Sequence, residues 1–128
     1  MITIYRDLIQ KAQEAQSQSY SPYSHVTVGA ALLTKQGNIY LGANIENSSY
    51  GATVCAERTA MFQAILNKDL DFEAIAITSN LEDFAFPCGI CLQVMSEFSK
   101  DLTIIITNKK GDTISKKINE MLPYAFNL

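Results

Sequence analysis

The sequence contains one histidine, three cysteines, and no apolar run approaching the roughly 20 residues needed to cross a bilayer. That last shortage excludes a transmembrane helix, and so a membrane partner. Met1-Ile2-Thr3-Ile4-Tyr5-Arg6-Asp7 lacks a basic stretch followed by an apolar one, so no secretory leader is read there. An odd number of cysteines does not suit a secreted disulfide framework. It suits a reduced, cytoplasmic setting, where clustered cysteines bind metal or do chemistry. Positive charge is also scarce: ten basic against thirteen acidic side chains give a net charge of −3. No basic cluster exceeds Lys109-Lys110 or Lys116-Lys117, whereas a phosphate-backbone binder gathers Lys and Arg on one face. Nucleic acid is therefore not expected as a partner. Repeats, low-complexity tracts and linkers are missing too, so residues 1–128 are read as one domain.

What remains is an ordinary globular composition, 48% hydrophobic and 18% charged, long enough to bury a core without disulfides. Tyr5, Leu8, Ile9, Ala12 and Gln16 share one helical face, and Ser21-Pro22-Tyr23-Ser24 ends that helix. Val26 to Thr34 and Asn38 to Ile45 read as antiparallel strands around Lys35-Gln36-Gly37. A helix is expected from Cys55, a strand over Glu73–Thr78, and a second helix opened by Pro87-Cys88. Leu102–Thr107 reads as a strand buried on both faces. Thr113–Ile118 pairs back on it through a hairpin, and Asn119–Pro123 makes a short helical turn.

The central alternation of strand and helix implies parallel neighbours with right-handed crossovers. The expected fold is α/β: a three-layer sandwich with a five-stranded mixed β-sheet flanked by helices. Ligands in such sheets gather at the carboxyl ends of strands, where helices begin. All three cysteines fall at helix starts.

Those cysteines lie in Thr53-Val54-Cys55-Ala56-Glu57-Arg58 and Pro87-Cys88-Gly89-Ile90-Cys91. A Cys-x-x-Cys pair at a helix N-terminus turns two sulfurs toward one point, and the helix dipole favours their thiolates. Cys55, at the other helix start, supplies a third ligand. With no fourth cysteine, and His25 placed at a loop-to-strand junction as a surface or packing residue, the economical reading is three protein ligands plus water on Zn²⁺. Zinc lowers the pKa of its water from about 16 toward neutrality. Glu57, in the same helical turn as Cys55, is placed to move that water's proton to a ring nitrogen and then to leaving ammonia. Three thiolates leave the site one unit negative, so Arg58 is expected to donate hydrogen bonds to the sulfurs. A ligand-x-Glu followed by Pro-Cys-x-x-Cys is the signature of zinc deaminases.

The chain resembles the small homotetrameric cytidine deaminases over nearly its whole length. The likeness runs through Ser21-Pro22-Tyr23-Ser24, Val28-Gly29-Ala30-Ala31-Leu32-Leu33, Asn44-Ile45-Glu46-Asn47, Cys55-Ala56-Glu57-Arg58-Thr59-Ala60, Pro87-Cys88-Gly89-Ile90-Cys91 and Leu122-Pro123-Tyr124-Ala125-Phe126. The resemblance implies hydrolytic deamination of cytidine and deoxycytidine in pyrimidine salvage, with Cys55, Cys88 and Cys91 on zinc and Glu57 as proton shuttle. It implies that Asn44 and Glu46 bind the ribose, chiefly its 3′-hydroxyl, and that the Ala56 N–H meets the pyrimidine carbonyl oxygen. It further implies that Phe126 stacks on substrate in a neighbouring subunit of a homotetramer, with Tyr50 lining the interface. Three positions depart from the family pattern. Leu92 stands where Arg is usual, Val26 where a Phe flanks the base, and Phe86 where Ser or Thr is usual. These departures bear on substrate preference, and motivate a related aminopyrimidine nucleoside such as blasticidin S as the alternative substrate. A non-catalytic protein with a purely structural zinc would need a fourth protein ligand, which the spacing does not offer.

Overall fold

The computed structural model describes residues 3–128. Helix α1 (Thr3–Gln16) buries Leu8, Ala12 and Ala15, the stripe its periodicity dictates. Strands β1 (Val28–Thr34) and β2 (Ile39–Ala43) form a hairpin closed by the Thr34 N–H on the Asn38 carbonyl, 2.9 Å, with Gly37 at φ +89° supplying the left-handed turn residue. Both strands are shorter than the sequence pattern suggests, because side chains take over the backbone before β1 and loop backbone takes it over after β2. The Val26 N–H is held by Ser24 Oγ at 3.0 Å and the Thr27 N–H by Asn80 Oδ1 at 3.1 Å. Beyond Ala43, Ile45 makes only isolated bridges to Tyr20 and Val54.

A 3₁₀ turn at Tyr50–Ala52, not anticipated from the sequence, leads into helix α2 (Ala56–Leu66). Strand β3 (Phe72–Ser79), helix α3 (Gly89–Phe98), strands β4 (Thr103–Thr107) and β5 (Thr113–Lys117), and the one-turn helix α4 (Ile118–Met121) complete the chain. The sheet order is β2-β1-β3-β4-β5, with β3 and β4 parallel and every other pair antiparallel. The five-stranded mixed sheet is therefore as expected, but the expectation of parallel neighbours holds for only one crossover. The β2–α2–β3 connection passes over β1, which lies between two strands of the same direction.

The sheet is covered on both faces. On one side α1 packs Leu8 and Ala12 on Ala31, Leu33, Ala74, Ala76 and Ile105. On the other, α2 and α3 pack Ala60, Met61, Ala64, Cys91 and Met95 on Ile75, Ile77, Ile104 and Ile106. All five residues of β4 are buried, which its unbroken apolar run anticipates.

Two glycines set how closely the layers approach. A Cβ on Gly29 would lie 2.0 Å from the Ala12 carbonyl oxygen of α1, and one on Gly42 would lie 2.3 Å from the Ala56 carbonyl oxygen of α2. On the outer rim of β2, the Leu41 carbonyl accepts from Gln63 Nε2 at 2.6 Å and the Ala43 carbonyl from Thr59 Oγ1 at 3.0 Å. Past the end of α2, buried Asp69 ties helix to hairpin: its Oδ2 accepts from Thr34 Oγ1 at 2.8 Å, Asn38 Nδ2 at 2.9 Å and Tyr40 OH at 3.2 Å. The Asn38 amide, with the Thr34 and Tyr40 hydroxyls, holds this carboxyl below the usual aspartate range. No helix among the described residues is long and apolar enough to cross a membrane.

Candidate active site

Helices α2 and α3 both start at the carboxyl ends of the parallel-running strands, so their unsatisfied N–H groups converge on one place. Cys55 is the N-cap of α2 and Cys88 that of α3; Cys91 lies one turn into α3. Neither cap cysteine uses its side chain to cap, which leaves both sulfurs free to point at a third group. Cys55 Sγ is 3.9 Å from Cys88 Sγ, Cys88 Sγ is 3.6 Å from Cys91 Sγ, and all three lie within 4.8 Å of one another. A tetrahedral zinc with Zn–S bonds of about 2.3 Å sets neighbouring sulfurs about 3.8 Å apart. The cluster fits that ion, and among the described residues no fourth metal-binding side chain joins it.

The sulfurs are electrostatically unequal. A hydrogen bond from the Cys91 thiol, followed by the Arg58 guanidinium, holds Cys55 down to about 5. The same bond, with burial, pushes Cys91 up. Together the pair keeps one proton between two sulfurs, and a divalent cation would take that proton's place. Arg58 Nη2 donates to Cys55 Sγ at 3.3 Å, as its position after Glu57 suggested, while its buried Nε has no partner.

Glu57, 5% exposed, stands beside the cluster in the first turn of α2. Burial, reinforced by the negative charge on Cys55, pushes its carboxyl up to about 7. A carboxyl poised there takes up and gives back a proton near neutral pH. The pocket before it, about 200 Å³, is walled by Val28, Asn44, Thr53, Cys55, Ala56, Glu57, Ala85, Phe86 and Cys88. Ala56 is the first residue of α2, so its N–H has no acceptor within the helix. An adjoining cavity of about 320 Å³ shares Thr53 and is lined by Tyr23, Ser24, Glu46, Asn47 and Tyr50.

Of the residues singled out in the sequence, Cys55, Cys88, Glu57, Ala56 and Asn44 meet at one pocket with Cys91 behind, and Glu46 lies in the cavity next door. Asn44 is already well bonded: Oδ1 accepts from Ser19 Oγ at 2.5 Å and the Val28 N–H at 2.9 Å, and Nδ2 donates to the Val26 carbonyl at 2.8 Å. Phe126 is 68% exposed and outside both cavities of its own chain, its carbonyl accepting from Gln93 Nε2 at 2.8 Å. His25 is exposed, with φ 60°, and takes no part in the cluster. Of the three departures, Phe86 is in the pocket wall, Val26 is half-buried outside it, and Leu92 is buried in the core. Sequence reasoning gave no pocket role to Val28, Thr53 or Ala85, small or β-branched residues whose chemistry carries no signal. It read Ser21–Ser24 as a helix break and as a stretch of family likeness, without giving its side chains a role at the site.

A three-sulfur zinc site beside a buried carboxyl, at the mouth of an α/β sandwich, defines a zinc-dependent hydrolytic enzyme. Residues 3–107 match the model of the cytidine and deoxycytidylate deaminase zinc-binding region. The cytidine deaminase of Sporosarcina psychrophila is 45% identical over 121 residues, covering 94% of this chain and 89% of that protein. The crystal structure of cytidine deaminase from Burkholderia pseudomallei superposes with a TM-score of 0.92 at 40% identity, covering 98% of this chain and all of that one. The blasticidin-S deaminase of Bacillus cereus is more distant, 30% identical over 128 residues, covering 94% of this chain and 90% of that protein. The chain belongs to the zinc-dependent cytidine deaminase family.

Proposed function

We propose that this enzyme converts cytidine and deoxycytidine to uridine and deoxyuridine, consuming water and releasing ammonia, and that residues 1–128 act as one deaminase domain. The observation that carries this reading is the zinc-sized triangle of sulfurs with the buried carboxyl of Glu57 beside it. Cys55, Cys88 and Cys91 hold zinc, which when bound makes water nucleophilic near neutral pH. Arg58 offsets the excess negative charge of the thiolates. Glu57 takes one proton from the water and gives it to the ring nitrogen, then takes the second from the hydroxyl newly formed on C4 and gives it to the 4-amino group, which leaves as ammonia. The Ala56 N–H takes the 2-carbonyl oxygen of the base, a first-turn amide with no other acceptor.

The sugar end follows from unused hydrogen-bonding capacity. Asn44 keeps one amide proton unspent, and a carboxylate has about four acceptor positions, of which Glu46 uses three. A hydroxyl both donates and accepts, and is the group these two remainders suit. Exposed Phe126 and Tyr50 support a homotetramer in which the tail of one subunit closes a neighbour's site. Three reduced thiols gathered for a metal support a cytoplasmic setting. The wall position of Phe86 and the 30% relative favour blasticidin S as a second substrate to assay.

Zinc-loaded protein incubated with each nucleoside should lose cytosine absorbance and release stoichiometric ammonia. Absence of turnover on cytidine and deoxycytidine, with one zinc per chain verified, would overturn the reading.

A further inference from the structure

Glu46 does not hold itself in place. Its Oε1 accepts from the Tyr23 N–H at 2.9 Å and the Ser24 N–H at 3.2 Å, and its Oε2 accepts from Ser24 Oγ. The two backbone bonds fill Oε1, which leaves the spare acceptor position on Oε2, the oxygen bonded to the serine hydroxyl. That hydroxyl has a fixed direction. Ser24 Oγ itself accepts from the Val26 N–H at 3.0 Å, so its one proton is committed to the carboxylate. Both residues line the same cavity beside the zinc-site pocket. The whole segment is keyed to the strand end it faces: the Tyr20 N–H donates to the Asn44 carbonyl at 3.0 Å and the Glu46 N–H to the Tyr20 carbonyl at 2.8 Å.

We propose that Ser24 is a positioning residue for sugar recognition: its hydroxyl locks the Glu46 carboxylate so that the remaining Oε2 position faces the substrate's 3′-hydroxyl. This rests on the reading of Glu46 as a sugar contact. Without the serine hydroxyl, Oε1 stays bonded to the backbone while Oε2 loses its only fixed partner and turns toward water. The carboxylate is then present but unaimed, so binding weakens without any change at the metal or at Glu57. A sugar contact made equally in the ground and transition states, once lost, raises KM and leaves kcat alone, and that is the signature expected here.

The test compares wild type, Ser24→Ala, Ser24→Thr and Glu46→Gln, all zinc-loaded, on deoxycytidine and on 2′,3′-dideoxycytidine, which lacks the 3′-hydroxyl. Ser24→Ala is expected to raise KM for deoxycytidine about tenfold, the effect of losing a hydrogen bond to a charged group, with kcat within about twofold. Its preference for deoxycytidine over the dideoxy compound should flatten, as it should in Glu46→Gln, and Ser24→Thr should restore it. If Glu46→Gln flattens the preference and Ser24→Ala keeps it, the positioning role is wrong and the sugar contact stands. If Glu46→Gln keeps the preference, the sugar contact itself is wrong and the role of Ser24 goes with it. A fall in kcat on both nucleosides together with a lower Tm in Ser24→Ala would mark a merely structural serine, and would also overturn the proposal.

Discussion

Glu57 illustrates how one residue's chemistry depends on where the helix begins. In water a glutamate is ionised well below neutral pH, but in the first turn of α2, 5% exposed and beside a thiolate, it is pushed up to about 7. Glu57→Gln keeps the shape and removes the exchangeable proton. The variant should bind one zinc per chain, retain its Tm, and lose about 10²–10⁴-fold in kcat, the usual worth of general acid–base catalysis. Metal analysis alongside single-turnover kinetics checks this; loss of zinc in the variant would place Glu57 among the ligands instead. The residues proposed to carry this chemistry were legible in the sequence because sulfur and carboxylate at fixed spacing have few other uses. The residues that shape the pocket were not. Val28, Thr53 and Ala85 make walls through size alone, and Ser24 acts through a neighbour twenty-two positions away.

At the scale of elements, the site depends on how tightly α2 is pressed on β2. A methyl group on Gly42 would meet the Ala56 carbonyl oxygen at 2.3 Å, Thr59 Oγ1 at 2.4 Å and the Ala60 nitrogen at 2.5 Å. Two of these are helix backbone, so Gly42→Ala must move the turn that carries Cys55 and Glu57. It should cost about 1–3 kcal/mol of stability, as overpacking does, and lower zinc affinity and kcat together. Gly51→Ala, which meets nothing within 4 Å, is the control expected to leave both intact. Chelator competition and urea denaturation measure the two effects. The same closeness explains what the sequence concealed about topology. Every strand and main helix could be read from periodicity, yet the place of β1 between β2 and β3 could not. Gly29, Ala30 and Ala31 are small because helices press on them from both faces, and small residues do not announce a central strand.

Over the whole molecule, stability and assembly make separate demands. Asp69 joins the far end of α2 to the β1–β2 hairpin as an ionised group, and its pKa is depressed in the fold. Such a group contributes stability that is present above the unfolded carboxyl's value, about 4, and is lost as pH falls through the folded one. Asp69→Asn should therefore lower the urea midpoint at pH 7, with the gap closing below about pH 4; a gap independent of pH would exclude the linkage. Assembly is tested through Phe126. Phe126→Ala should raise KM about two- to tenfold, the range of one lost aromatic contact. Mixing it with the inactive Glu57→Gln protein after co-refolding should generate sites of wild-type KM, which requires the phenylalanine to act on a neighbouring subunit. Without such sites, Phe126 serves its own chain.

The sheet's two rims are finished differently, and this decides how the protein fails. β5 ends in Lys116 and Lys117, charges that discourage another strand from docking. β2 carries no such charge; its outward carbonyls at Leu41 and Ala43 are occupied by Gln63 and Thr59 of the helix that begins with the zinc site. Recruiting a foreign strand onto β2 means first peeling that helix away. Heated or chelated samples should therefore fall silent before they turn cloudy, and a preparation that still deaminates has not begun to form fibrils from this rim.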